Sequence, residues 1–292
     1  MFLLIRYGEI GLKSSQVKSR FEERLEKRLE EKLSYRGIEG EILESEGRIF
    51  AEVEEQDAAD ASLALSRVPG VVSVSPAVRT TLELDDIAER AVEMLEEREV
   101  GSFAIDARRA GEHDYTSEDL EEEVGQAVVD SLGLEVDLDE PDVTVHIEAR
   151  YRNSYLYTET VDGVGGLPVN EEDRVAVLME DRASTVAAFL LMKRGCRVFP
   201  VYTGEEPKGL EEEMEVLHQF DPGVKLTVMK GEEEEVLEQV SDLYECQAVA
   251  VSAVSDELEE LPETEKELLL PNSGFSEEEV MEKYRELTPV RA

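Results

Sequence analysis

Hydrophobic positions along the chain fall into two rhythms. FLLIRY (2–7) is a short apolar run of strand length. In 18–35, Phe21, Leu25, Leu29 and Leu33 recur every four residues, which predicts an amphipathic helix. EILESEGRIFAEVE reads as two short strands turning at Gly47, 58–67 as a second helix closed by Pro69-Gly70, and VVSVSPAVRTTLE as a further strand. The order strand, helix, strand, strand, helix, strand predicts a small α+β domain of ferredoxin-like character.

A second unit begins near Leu84. DDIAERAVEMLEER is a helix with an acidic first turn, as helix polarity favours. SFAIDARRAG is a strand ending in a basic pair, and SEDLEEEVGQAVVDSLG is a helix for which Ser117 offers an N-cap. DVTVHIEA (142–149) alternates as a strand, with YRNSYLYTETVDG as its hairpin partner. GVGGLPVN (163–170) reads as a glycine-rich linker. Beyond it strands and helices alternate: VAVLM, a helix from Ser184 to Arg194, CRVFPVYTG, GLEEEMEVLHQF, VKLTVMKG, EEEVLEQVSDLYE and CQAVAVSAV. That alternation predicts a parallel α/β sheet. After residue 256 one convincing helix remains, EEEVMEKYREL, which is little for a full-sized enzyme domain.

Charge changes the picture more than length does. The 292 residues carry 30 Lys+Arg and 71 Asp+Glu, a net charge of -41, yet 41% of them are hydrophobic. This is a folded protein with an acidic surface. At molar salt the Debye length is about 3 Å and the self-repulsion is screened, so a salt-rich cytoplasm is the expected setting. No stretch has the length of a signal peptide or a transmembrane span, so no membrane association is expected, and no DNA partner. Cys196 and Cys246 form no CxxC pair, and His113, His146 and His218 are too scattered for a metal site or a triad. Neither metal nor cofactor is expected.

Positive charge is concentrated at the front. Residues 1–50 hold 10 Lys+Arg against 10 Asp+Glu. Lys13, Lys18, Arg20 and Arg24 are candidate phosphate contacts, the alternative being ion pairing with the interleaved glutamates of the same helix. Arg108 and Arg109 could grip phosphates bidentately, or pair locally with Asp106 or Glu112. His113 is a candidate RNA contact. Arg150 and Arg152, two apart on a presumed strand, would share a face, as would Tyr151, Tyr155 and Tyr157, giving either sheet packing or a stacking surface.

LIRYGEIGLK, the segment FAIDARRAGEHDYTSEDLEEEVG with EPDVTVHIEARYRNSYLY, and the joint GVGGLPV together resemble the tRNA 4-thiouridine synthetase family, sulfurtransferases also tied to thiamine biosynthesis. The resemblance implies an N-terminal ferredoxin-like domain (1–78), a THUMP RNA-binding domain (79–165) and a shortened PP-loop ATP pyrophosphatase-like α/β domain (166–292). It implies tRNA as partner, the first two domains holding the acceptor end, and leaves open a homodimer or a partner modification enzyme. The family's loop reads Ser-Gly-Gly-x-Asp-Ser. The matching positions here are Met179, Glu180, Asp181, Arg182, Ala183 and Ser184, of which only Ser184 is retained. Two carboxylates replace the glycines that let backbone N–H groups approach a triphosphate. Arg182 could offset part of that charge. The glycine-containing turn expected after Ala253 and the family's reactive cysteine also have no counterpart. Two readings follow: a tRNA-binding relative without ATP-dependent adenylation, or an active tRNA sulfurtransferase with an altered nucleotide loop.

Overall fold

The computed structural model describes residues 1–8, 15–45, 48–96, 98–207, 209–254 and 261–288. By internal contacts the chain divides into two compact units, one of Met1–Arg6, Ile38–Leu63 and Ser73–Asp162, the other of Tyr7–Gly37, Ala64–Val72 and Gly163–Ala292.

The first unit is built on a nine-stranded sheet. Its strands are β1 (Phe2–Tyr7), β2 (Gly40–Ser45), β3 (Arg48–Val53), β4 (Val71–Thr80), β5 (Ser102–Arg109), β6 (Glu135–Val136), β7 (Val143–Ala149), β8 (Ser154–Tyr157) and β9 (Val161–Asp162). They run β2-β3-β1-β4-β8-β7-β5-β6, with β9 on β4. Helices α3 (Leu84–Glu96) and α4 (Ser117–Leu132) cover one face through Ile87, Ala91, Leu95, Leu120, Val124 and Val128 against Phe103, Val145, Ile147 and Leu156. On the other face lies a smaller cluster of Leu4, Phe50, Ala77, Tyr155 and Tyr157, edged by Phe2. Strand alternation sends Thr144, His146 and Glu148 to this second face. Arg48 on β3 nevertheless lies 3.7 Å from Glu148 on β7, with β1, β4 and β8 between them in the sheet order, so the face is strongly concave. Helix α4 starts one residue earlier than expected: Thr116, not Ser117, is the N-cap, its hydroxyl accepting from the Asp119 N–H while the Asp119 carboxylate accepts from the Thr116 N–H.

The second unit contains a five-stranded parallel sheet, ordered β12-β11-β10-β13-β14. These are β10 (Arg174–Leu178), β11 (Arg197–Thr203), β12 (Thr227–Met229), β13 (Ala248–Ala250) and β14 (Glu267–Leu269). The last strand was not legible in the sequence and extends the sheet by parallel pairing to β13. Helices α5 (Arg182–Lys193), α6 (Glu211–His218) and α8 (Glu277–Leu287) share one core with Val175, Val177, Ala248 and Ala250. Helix α7 (Glu233–Leu243) packs Val236, Leu237 and Val240 on the other face against Ala176, Leu178 and Val249. The expected linker is instead strapped down. Gly163 and Gly165 donate to the carbonyls of Val72 and Val71, both at 2.7 Å, and Leu167 donates to Lys193 O at 3.0 Å. At Gly166 (φ +83°) a Cβ would stand 2.0 Å from Lys193 O, so only glycine fits there.

Helix α1 (Ser15–Arg36) belongs to this second unit, and a cation fastens it there. Lys32 is buried and donates to the last carbonyls of α6, His218 O at 3.2 Å and Gln219 O. The segment after α2 (Ala58–Ser66) does the same elsewhere: Arg67 donates to Leu287 O, at the end of α8, at 3.2 Å. Cations at helix C-termini meet both the unpaired carbonyls and the negative end of the dipole. Burial, with Arg36 and Arg67 nearby, pushes the Lys32 ammonium down to about 8. Between about pH 8 and its ordinary value of 10.5 the unfolded chain holds that proton and the folded chain does not, so stability rises with pH across the window. We expect the wild type to gain up to about 3 kcal/mol over Lys32→Met between pH 8 and 10.5 in denaturant titrations, a difference flat below pH 7. Parallel pH profiles for the two proteins would show that Lys32 stays charged throughout.

Candidate nucleic-acid interface

The basic residues of α1 split into fates that sequence spacing did not separate. Arg20 and Arg24 converge on one buried carboxylate 147 or more residues away in sequence: Arg20 Nη2 lies 2.8 Å from Glu171 Oε2, and Arg24 pairs with Glu171 Oε1 while donating to Asn170 O at 2.6 Å. The chain presents Glu171 by turning at Asn170 (φ +77°), after which the N–H groups of Asn170, Glu171 and Glu172 all point at Gly195 O. Arg28, four residues on, is 2.7 Å from Glu31 and 3.6 Å from Asp221. Lys18 pairs with Glu22 at 3.4 Å, and Glu22 also accepts from the Tyr7 hydroxyl. Of these four, Lys18 and Arg28 use a partner on their own helix, and Arg20 and Arg24 use one from the α/β part of the same unit. Lys13 lies outside the described residues.

A second group forms one end of the nine-stranded sheet. Parallel register sets Arg108 beside Glu148 and Arg109 beside Ala149, and Ala110 N–H continues the ladder to Ala149 O at 2.8 Å. The β7–β8 turn folds over this end. Gly111 (φ +105°) has no side chain, and a Cβ there would come within 2.9 Å of the Tyr151 ring, so Tyr151 lies directly on its backbone. Tyr151 is 61% exposed; Arg108, Arg109 and Arg152 are exposed around it. Arg108 leans to Asp106 at 3.5 Å, which also holds His146 Nδ1 at 2.9 Å. His113 is tethered by Ala110 O at 3.1 Å and stacks on Tyr115 with centroids 5.4 Å apart. A cavity of about 880 Å³ adjoins it, lined by Glu83, Asp85, Glu112 and Asp114.

Two expectations are corrected here. Arg150 and Arg152 do not share a strand face, because β7 ends at Ala149 and both lie in the turn, Arg150 buried and 3.3 Å from Glu148, Arg152 turned outward. The three tyrosines do not share a surface: Tyr155 and Tyr157 pack in the sheet cluster, Tyr155 stacking on Phe50 at 4.6 Å and Tyr157 on His146 at 5.0 Å.

The loop after β10 lies at the carboxyl edge of the parallel sheet, where strand order reverses between β10 and β13, the place where such sheets receive ligands. Met179 is buried, and Glu180 and Asp181 are exposed. Asp181 is the N-cap of α5: its carboxylate accepts from Ser184 N–H at 3.0 Å, while Ser184 Oγ accepts from the N–H groups of both Glu180 and Asp181 at 3.1 Å and donates to Asp181 O at 2.6 Å. Ser184 is thus the third helical residue of a capping box and not the cap itself. The N–H groups of Glu180, Asp181 and Ser184, of the kind a phosphate loop offers to an oxyanion, are occupied by the chain's own oxygens. Across the crevice, fully buried Asn272 donates to Ala183 O at 2.9 Å and to Ser252 O at 3.3 Å, tying the two lips together. Arg182 is not turned onto the loop; its guanidinium lies over the Tyr284 ring, 5.3 Å from the centroid. Residues 255–260, where the glycine-containing turn was sought, lie outside the described residues.

Neither cysteine is set up as a thiolate. Burial, with Glu172 and Asp173 beside it, pushes the Cys196 thiol up to about 11, and burial pushes Cys246 up to about 11. Among the described residues no three His, Cys, Asp or Glu side chains are grouped to hold a metal ion, and no helix is long and apolar enough to cross a membrane.

A two-part α+β sheet followed by a parallel α/β layer is the architecture of a THUMP-type protein with a C-terminal α/β domain. The comparisons agree in detail. Residues 2–75 match the ThiI ferredoxin-like domain and residues 82–159 the THUMP domain. A probable tRNA sulfurtransferase of Methanocaldococcus jannaschii is 32% identical over 257 residues, covering 83% of this chain and 68% of the relative. Its counterpart in Methanosarcina acetivorans is 41% identical, over 70% of this chain and 51% of the relative. The solved structure of PH1313 from Pyrococcus horikoshii superposes with a TM-score of 0.83 at 28% identity, covering 98% of this chain and 99% of that one. That of a 4-thiouridine synthetase in complex with RNA and ATP superposes with a TM-score of 0.79 at 21% identity, covering 98% and 84%. The chain belongs to the tRNA sulfurtransferase family. It spans roughly half to two thirds of the length of the curated relatives it matches.

Two outcomes follow from the geometry. Asp181→Ala removes the cap of α5 and should lower stability by about 1 kcal/mol in urea titrations, with an unchanged result placing the cap elsewhere. Thiols held near 11 should react with iodoacetamide far more slowly than free cysteine at pH 8, and rapid labelling of the native protein would contradict the raised values of half-buried Cys196 and buried Cys246.

Proposed function

We propose that this chain binds tRNA through the arginine and tyrosine end of its sheet, and that it does so without ATP-dependent adenylation. The first part is carried by one observation: Arg108, Arg109, Tyr151 and Arg152, from two separate stretches of the THUMP segment, meet at one exposed end with Gly111 shaped to seat the tyrosine. His113 borders that end. An exposed aromatic ring among guanidinium groups suits single-stranded RNA, where bases stack and phosphates pair. Salt weakens each phosphate contact, so stacking by Tyr151 matters most in the molar salt that the acidic surface is suited to. Lys13 and Lys18 stay candidate phosphate contacts, whereas Arg20 and Arg24 reach RNA only by leaving Glu171. The working segments are 1–78, 79–165 and 166–292.

The second part is supported by the loop after β10. Its carboxylates would repel a triphosphate, and the N–H groups that would receive one are already bonded to Asp181 and Ser184. Sulfur transfer, if the chain takes part in it, then draws its adenylation from a partner.

Binding of tRNA in 1 M KCl tests the first part. Arg109→Glu and Arg152→Glu should each weaken affinity about tenfold, and Tyr151→Ala should cost as much at high salt as at low salt. Unchanged binding in all three would move the interface elsewhere. Millimolar MgATP should leave the thermal midpoint unmoved; a rise, or pyrophosphate release dependent on tRNA, would restore the reading as an active synthetase.

A further inference from the structure

Arg79, near the end of β4, is held by an aromatic ring instead of a carboxylate. It is exposed, and its guanidinium lies over Phe2, 4.5 Å from the ring centroid. Phe2 in turn meets Phe50 and Tyr155 edge to face, with centroids 6.4 and 6.3 Å away, so the seat is fixed. Among the described residues Arg79 has no carboxylate partner. A cation–π contact orders the side chain without neutralising it and leaves the N–H edge of the guanidinium open. Strand register gives the group a direction. Arg79 pairs with Tyr155 on β8, Tyr155 with Glu148 on β7, and Glu148 with Arg108 on β5. Register partners share a face, so one row crosses the concave face with an arginine at each end, three strand spacings or roughly 14 Å apart along the sheet. Glu148, in the middle of the row, is buried and already paired with Arg6 at 2.9 Å. The row lies at the same end of the sheet as Arg109, Tyr151 and Arg152: β4, β7 and β5 finish there at Thr80, Ala149 and Arg109, and β8 starts there at Ser154.

We propose that Arg79 is a further phosphate contact for tRNA, taking the RNA backbone from the arginine and tyrosine end across the concave face to β4. Arg79 lies outside both matched segments, 2–75 and 82–159. Its geometry suits a phosphate better than a base. One face of the guanidinium is covered by Phe2, and the open edge offers the fork of N–H donors that phosphate oxygens accept. A cation ordered beforehand also loses less freedom on binding, which counts most in concentrated salt, where a pair between two mobile groups is worth little. Phe2 is then the positioning residue, and the aromatic cluster of the ferredoxin-like segment serves the RNA surface as well as the core.

The inference rests on the tRNA-binding reading, and the two fail differently. Affinity of the full chain for a tRNA transcript is measured from 0.5 to 2 M KCl. Loss of one phosphate contact makes the plot of log affinity against log salt shallower by about 0.7 to 0.9. Arg79→Gln should show that change, with a loss of about tenfold at 0.5 M KCl that shrinks to about threefold at 2 M, whereas Arg79→Lys should keep the wild-type slope. Arg197→Gln is the matched control. Arg197 is an exposed arginine at the start of β11, likewise over a ring, 5.3 Å from the Phe199 centroid, and its loss changes the net charge equally. That variant should bind as wild type does. An equal effect of Arg79→Gln and Arg197→Gln would trace the loss to net charge and overturn the contact. A slope as shallow in Arg79→Lys as in Arg79→Gln would trace it to lost packing on Phe2 and overturn the contact too. So would an unchanged slope in Arg79→Gln, which leaves tRNA binding intact where Arg109→Glu and Arg152→Glu still weaken it. Failure of the wild type to bind tRNA overturns the function itself.

Discussion

Scarcity of positive charge governs this molecule. Carboxylate residues number 71 against 30 cationic ones, so a cation has acidic neighbours in excess to choose from. Where a cation sits is therefore a structural decision. Lys32 and Arg67 end α6 and α8, Arg20 and Arg24 share Glu171, and Arg6, Arg48 and Arg150 gather at Glu148. These contacts are buried or half-buried, where salt screens them least, which suits a protein whose exposed ion pairs would be worth little in concentrated salt. Against that background Arg109 and Arg152 are exposed, one at a strand end and the other in a tight turn.

The loop after β10 shows the same economy applied to an anion. A helix N-terminus has N–H groups without intrahelical partners, and something negative or polar must meet them. In nucleotide-binding sheets that partner is a phosphate at the point where strand order reverses. Here Asp181 supplies the charge, Ser184 supplies the hydroxyl, and Asn272 closes the crevice between Ala183 and Ser252. The helix is complete as it stands. Its stability does not wait on a ligand, as that of a glycine-rich loop in part does.

Much of the fold was legible because it is local. The four-residue spacing of Phe21, Leu25, Leu29 and Leu33 foretold α1, and each of the four forms part of the core. The alternation of 142–149 foretold β7 and, through it, which residues face the helices. What could not be read depends on partners far along the chain. Arg20 and Arg24 stand four apart with glutamates between them, a pattern that fits helix ion pairs or a phosphate face equally well; nothing local names Glu171. Arg150 and Arg152 have strand spacing, yet the chain leaves the strand at Ala149 to make a turn, which reverses the inference about faces. Strand β14 is only three residues long, and parallel pairing to β13 makes it a strand. The loop after β10 was the easiest part to compare and the hardest to judge, since its residues were visible but the hydrogen bonds among Glu180, Asp181 and Ser184 were not.

The α/β layer around that loop has a full core. Val175, Val177, Val186, Met192 and Phe220 are buried, and the same layer holds α1 through Glu171 and the end of α6, and the segment after α2 through the end of α8. The layer carries the cations of the N-terminal segments, and removing it would strand Arg20, Arg24, Lys32 and Arg67 without the oxygens they now bind. That support lies in the framework of the layer, its helix ends and the Asn170–Glu171 turn, and not in the loop at its carboxyl edge.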